Sequence, residues 1–205
     1  MVFHRNCVKI PLIIIALLLT ACSTLHEQPL KQNLHYLTWY QRQHQLNTIN
    51  NWNIYGALGI KYESRDSIAH FYWQQMIDHF TVNIYTPINL GGVKITGDKE
   101  QVVLWRSISK KVIAKTPEQL MYKELGWSLP LFNMRYWILG LPAPHIPYSA
   151  KFDSYNHLSY LRQQGWRINY SDFRSIGNID LPTKIWLSTP QLQVKLVIKQ
   201  WRISQ

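Results

Sequence analysis

The sequence predicts a mainly β, α+β domain: one antiparallel sheet, curled, with helices packed on one face. Three observations predict it. Apolar residues recur at every second position along many short segments. Turn residues such as Gly97-Asp98 and Gln164-Gly165 separate those segments. The alternation breaks once, where two helix signals occur, and then resumes.

The chain opens with Arg5 and Lys9, then the apolar run Ile10–Leu19, then Thr20-Ala21-Cys22. From Ile10 to Ala21 there are about 12 residues, too few to cross a hydrocarbon core of roughly 30 Å. This is the pattern of a bacterial lipoprotein signal. Residues 1–21 are expected to be removed, leaving Cys22 as an acylated N-terminus. Two or more acyl chains make a lasting anchor. Ser23, rather than aspartate, is the usual condition for outer-membrane sorting of such lipoproteins in enteric-type bacteria. Residues 22–33 are polar, contain Pro29 and read as a flexible tether. Residues 34–205 then form a single domain.

Leu34–Ile49 lacks Gly and Pro and reads as a helix. From Trp52 the period becomes two: Trp52, Ile54, Gly56, Leu58 and Ile60 alternate with more polar or smaller residues. Phe71, Trp73 and Gln75 form a second run, and Phe80, Val82 and Ile84 a third. Val93 and Ile95, Val102 and Leu104, and Val112 and Ala114 complete a meander.

Thr116-Pro117-Glu118-Gln119 is a helix start, with a capping hydroxyl, a proline at the first helical position and a glutamine three residues after the cap. Gly126 ends that helix. A second fits Leu131–Leu139, closed by Gly140. Pro142, Pro144 and Pro147 imply an extended surface loop. Strands return after Asn156, through Trp166, Ile168 and Tyr170, then Ile185 and Leu187. Leu192, Val194, Leu196 and Ile198 make the clearest alternation of all.

There are 22 Lys and Arg against 11 Asp and Glu in the whole chain. Loss of Arg5 and Lys9 leaves roughly +9. Such a charge suits an acidic protein partner or anionic lipid. Export removes nucleic acid as a partner. The basic residues are scattered, with no run longer than Lys110-Lys111. Cys7 leaves with the signal, so acylation of Cys22 leaves no thiol for a disulfide. Nine tryptophans, twelve tyrosines and six phenylalanines exceed what a core of this size needs. Some are available to line a cavity.

Several fragments together resemble the LolB family of outer-membrane lipoprotein receptors. They are Trp52 through Ile60, the F-x-W-x-Q pattern of Phe71, Trp73 and Gln75, Gly126 through Leu131, Trp137 through Pro142, and Gly165-Trp166 with Tyr170. The resemblance runs from about Tyr36 to Ile203. It implies an unclosed antiparallel β-barrel with a helical lid over an apolar cavity. That cavity would shelter the acyl chains of client lipoproteins received from the periplasmic carrier LolA. Each methylene exposed to water costs about 0.8 kcal/mol, so a dry enclosure is needed. Candidate cavity residues are Leu58, Trp73 and Ile84 from strands, with Met121, Met134, Trp137 and Ile138 from the helical part. Methionines suit an adaptable lining.

The hairpin tip Pro87-Ile88-Asn89-Leu90-Gly91 resembles the family's P-L-G-x-G loop, whose exposed leucine assists membrane insertion. Ile88 falls on the leucine position, and Leu90 sits two residues later. The sequence departs from the pattern with Ile for Leu and Asn for Gly. The wedge is therefore Ile88, Leu90 or both. The competing reading is an ordinary turn whose aliphatics fold back onto the core.

No G-x-S-x-G, H-E-x-x-H or Gly-rich phosphate loop is present. An enzyme is not expected, nor a metal or cofactor. The expected partners are LolA, client lipoproteins and outer-membrane lipid, with the chain a monomer. A scaffolding lipoprotein without ligand is the rival class, and a lipid-acting hydrolase a more distant one.

Overall fold

The computed structural model describes residues 34–85, 92–107 and 109–204. Cys22 and the Pro87–Gly91 tip lie outside the described residues. The described residues form eleven strands and three helices. The strands are β1 (Asn51–Tyr62), β2 (Arg65–Met76), β3 (His79–Tyr85), β4 (Gly92–Gly97), β5 (Val102–Trp105), β6 (Lys111–Ala114), β7 (Tyr148–Phe152), β8 (Leu158–Gln163), β9 (Trp166–Ile176), β10 (Ile179–Ser188) and β11 (Leu192–Ser204). The helices are α1 (Trp39–Asn47), α2 (Pro117–Leu125) and α3 (Leu131–Trp137).

All strands join one antiparallel sheet in the order β6-β5-β4-β3-β2-β1-β11-β10-β9-β8-β7. The two ends of the chain's strand run, β1 and β11, pair at its centre. The free edges are β6 and β7, which are adjacent in sequence. The connection from Lys115 to Pro147 must therefore carry the chain from one free edge to the other. It contains α2 and α3. The lid follows from topology: among the described residues, the one long connection between strands spans the gap they leave.

Strand alternation buries one face. In β1, Trp52, Ile54, Gly56, Leu58 and Ile60 point inward. Trp52 contacts Trp73 of β2 and Trp201 of β11 at centroid distances of 5.5 and 5.7 Å. Such pairs add about 0.5–1.5 kcal/mol each beyond area burial. The β1–β11 ladder slips between Tyr55 and Gly56. A Cβ on Gly56 would sit 2.1 Å from the Val197 carbonyl oxygen. Only glycine permits that approach, and the bulge bends the central strand pair.

Two expectations need correction. The first helix is shorter than Leu34–Ile49. Thr38 caps it, accepting from the Gln41 backbone while Gln41 reaches back to the Thr38 N–H. Residues 34–38 run extended because they dock on β10, as described below. The segment after α3 is a surface loop only in part: Pro144, His145 and Pro147 are exposed. Leu141, Pro142 and Ala143 are buried, and Tyr148–Phe152 adds the edge strand β7. Prolines suppress regular structure there, and apolar packing keeps only Leu139–Ala143 inside. The α2 signals hold: the Thr116 hydroxyl accepts from the Gln119 N–H, and Gly126 closes the helix at φ 82°.

Candidate functional site

The concave sheet face and the lid helices enclose an apolar interior. Leu58, Trp73, Met121, Met134, Trp137 and Ile138 belong to one buried cluster, each 0–2% exposed. Ile84 packs against the cluster and is half-buried. The residues expected to line a cavity thus meet in space. They fill the interior with their own side chains, so the lid is closed in this structure.

Polar side chains hold the lid unevenly. On one side, Gln163 of β8 is 1% exposed and makes four bonds. Its Oε1 accepts from the Trp137 indole at 2.7 Å and from the Ala143 N–H at 2.8 Å. Its Nε2 donates to the Ala143 and Ile146 carbonyls, each at 2.9 Å. The carboxamide satisfies both an indole and a buried stretch of backbone, which helps to keep Leu141–Ala143 inside. On the other side, the ties are surface ion pairs. Arg106 Nε meets Glu124 of α2 at 3.1 Å and also donates to the Glu124 carbonyl. Arg135 of α3 meets Asp78 in the β2–β3 turn at 2.9 Å. Hydrogen bonds from Lys99 and Arg135 hold the Asp78 carboxyl below its ordinary pKa.

An apolar groove opens beside those ion pairs. It measures about 540 Å³ and is lined by Ile84, Tyr85, Val93, Trp105 and Arg106. The register puts Asn83, Tyr85, Lys94 and Trp105 of its lining on the outer face of the strands, while Ile84 and Val93 face the interior cluster. Inside, the Tyr170 hydroxyl is buried with no partner among the described residues. Burial pushes its pKa well above the usual value. An unpaired buried hydroxyl costs about 1–3 kcal/mol.

Gln75, part of the F-x-W-x-Q pattern, accepts from the Trp73 indole at 3.2 Å. It donates to the Ile77 and His79 carbonyls at 2.8 and 3.1 Å. The motif therefore secures an interior tryptophan and the following turn with one amide.

A second buried polar group lies at the opposite end of the sheet from the β1–β2 and β8–β9 turns. Asp180 accepts from the His35 N–H at 2.8 Å and from Ser175 Oγ at 2.6 Å. Its carboxylate also meets the His35 ring at 3.0 Å, the His157 ring at 3.1 Å and Arg42 at 3.4 Å. Arg42 donates to the carbonyls of His35 and Tyr155. Burial raises the Asp180 pKa, but hydrogen bonds from Ser175, His35 and His157 outweigh it and hold it at about 2. This cluster straps the segment before α1 onto β10.

Neither Gln163 nor Asp180 stands out in the sequence. Gln163 reads as part of a turn, and Asp180 as one scattered acid. A polar residue at an inward register position beside the Gly165 turn is the one signal that could have marked Gln163.

The outer membrane lipoprotein LolB family model matches residues 50–201. The outer-membrane lipoprotein LolB of Coxiella burnetii strain RSA 493 is 42% identical over 199 residues, covering 97% of this chain and 93% of that protein. That of Nitrosococcus oceani is 36% identical, covering 95% and 98%. Among solved structures, a LolA superfamily protein of Nitrosomonas europaea superposes with TM-score 0.56 at 10% identity, over 82% of this chain and 94% of that one. The likeness shows a shared unclosed-barrel fold. With its fold, motifs and matched length in agreement, this chain belongs to the LolB family.

Proposed function

We infer that the chain is a non-enzymatic outer-membrane lipoprotein receptor. It takes lipoproteins from the periplasmic carrier LolA and delivers them to the outer membrane. Family membership and 42% identity over nearly the whole chain carry this function.

The finer reading concerns where acyl chains go. The observation that carries it is a closed apolar interior whose lid is tied by ion pairs on the side where half-buried Ile84 and Val93 pack against it. Acyl chains enter past Ile84 and Val93. They displace α2 by breaking the Arg106–Glu124 tie, and take the place of side chains packed on Leu58, Trp73, Met121, Met134, Trp137 and Ile138. Transfer needs no nucleotide, because each stage binds the client more tightly than the last. The chain acts as a monomer. Cys22 carries the anchor, residues 22–33 the tether, and Ile88 with Leu90 the wedge that acts when the client leaves.

The test is stoichiometric binding of a fluorescent fatty-acyl probe that a client lipoprotein displaces. Introducing a tryptophan at Val93 should block probe entry without unfolding the chain. Normal probe binding by Val93→Trp would refute the entry route. Ile88→Asp with Leu90→Asp should leave uptake from LolA intact and impair insertion. Normal insertion by that double variant would remove the wedge role.

A further inference from the structure

The convex face of the sheet carries a patch that neither lid nor interior uses. In the row nearest the β1–β2 and β8–β9 turns, the register places Arg162 opposite Arg167, Arg167 opposite Ser188, Ser188 opposite Gln193, and Gln193 opposite Lys61. Like charges directly opposed on one face repel. Among the described residues, Lys61, Arg162, Arg167 and Lys195 make no ion pair. One row inward, Trp186, Lys195, Gly59 and Ile68 are neighbours across four strands.

Lys195 Nζ sits 5.3 Å above the Trp186 ring. Ile68 is 70% exposed. Gly59 has nothing nearer a would-be Cβ than Lys195 at 3.9 Å, so its lack of a side chain leaves a trough rather than relieving a clash. That trough holds about 420 Å³ between Ile68 and Trp186.

At this end the acids are Glu63 in the β1–β2 turn and Asp66, directly opposite Lys61 and beside the trough. Asp78, Asp98, Glu100, Asp153 and Asp180 gather at or beside the turns of the opposite end. Asp78 and Asp98 are engaged there with Lys99, Arg135 and His79. At the β1–β2 end Lys61, Arg162, Arg167 and Lys195 outnumber Glu63 and Asp66, which leaves a net positive patch.

We propose that this convex patch docks the domain on an anionic phospholipid surface. Cations with stems over apolar surface, a tryptophan and an exposed isoleucine match an interface where phosphates lie above acyl chains. Position agrees. The β3–β4 connection leaves the described sheet at Tyr85, which pairs with His70, two residues along β2 from Ile68. Lys61, Arg167 and Lys195 engage phosphates, while Ile68 and Trp186 contact the outermost methylenes. The domain thereby presents its cationic end to the bilayer that receives the client. This rests on the receptor reading above.

The test uses the acylated chain in vesicles, labelled through Gln193→Cys or, at the other end, Glu100→Cys. A lipid-borne quencher should reduce fluorescence at 193 and spare 100 in vesicles containing phosphatidylglycerol. With neutral lipid the quenching at 193 should fall. The triple variant Lys61→Glu, Arg167→Glu, Lys195→Glu should show roughly tenfold weaker quenching with uptake from the carrier unchanged. The exchange Lys61→Arg, Arg167→Lys, Lys195→Arg should keep it, which separates charge from folding. Equal quenching at both sites, or indifference to lipid charge, would overturn the proposal. So would a triple variant that loses uptake but keeps quenching, since the patch would then dock the acidic carrier. A wild-type chain unable to take up client would sink the receptor reading instead, independently of the quenching pattern.

Discussion

The half of the sheet from β7 to β11 and the half from β1 to β6 hold the rest of the molecule by different means. The first uses buried polar hubs. Gln163 closes over Trp137, Ala143 and Ile146, and Asp180 gathers His35, Arg42, His157 and Ser175. The second ties the lid through ion pairs at the surface, Arg106–Glu124 and Arg135–Asp78. A buried group left unpaired is costly, whereas an exposed pair contributes about 0–1 kcal/mol. The lid is thus hinged on the β8 side and only latched on the β3–β5 side. Ile84 and Val93, half-buried against the interior, lie on the latched side. A closed core and a receptor that must open are reconciled by this asymmetry.

The largest effect is expected from Asp180→Ala. It leaves Arg42 and His157 buried without their carboxylate, a loss of about 3–5 kcal/mol. Equilibrium denaturation would measure it, and a loss under 1 kcal/mol would mean that the cluster is not a clamp. Acid should act through the same residue. Its folded pKa of about 2 lies below the ordinary 3.8, so its contribution is complete above pH 4. That contribution should disappear as pH falls from about 4 to 2, by about 2–3 kcal/mol. An Asp180→Ala chain should lack that part of the acid transition.

Gln163→Leu comes next. It orphans the Trp137 indole, the Ala143 N–H and two carbonyls, at a cost of about 3 kcal/mol. The melting temperature should drop by roughly 6–12 °C. Hydrogen exchange sharpens the contrast without mutation. Amides of α2 should exchange faster than those of Trp137–Ala143, because the latched side opens first. Uniform protection across the lid would remove the hinge.

The smallest change in stability belongs to Arg106→Ala with Glu124→Ala, within about 1 kcal/mol of wild type. Its effect on function should be larger: faster uptake of a fatty-acyl probe in stopped flow. An unchanged rate would show that the pair does not gate entry.

Much of the strand half of the fold was legible because a half-buried strand writes its orientation every second residue. Trp52 through Ile60 and Leu192 through Ile198 alternate as the sequence shows, and the structure turns their apolar set inward. Thr116, Pro117 and Gly126 marked α2 because caps are local chemistry. The Leu34–Thr38 strap was not legible. Its extended form depends on Asp180, 145 residues away from His35, and local propensity carries no trace of such a partner.

By itself the sequence determined the alternation, the helix punctuation, the family motifs and the lipobox-like start, all of them written by neighbours within a few residues. Only tertiary structure decided that β1 and β11 meet, that the one long connection must bridge the free edges, and that scattered cations gather on one convex end. Those outcomes depend on which distant strands pair, and pairing depends on burying one shared apolar face rather than on any short stretch of chain.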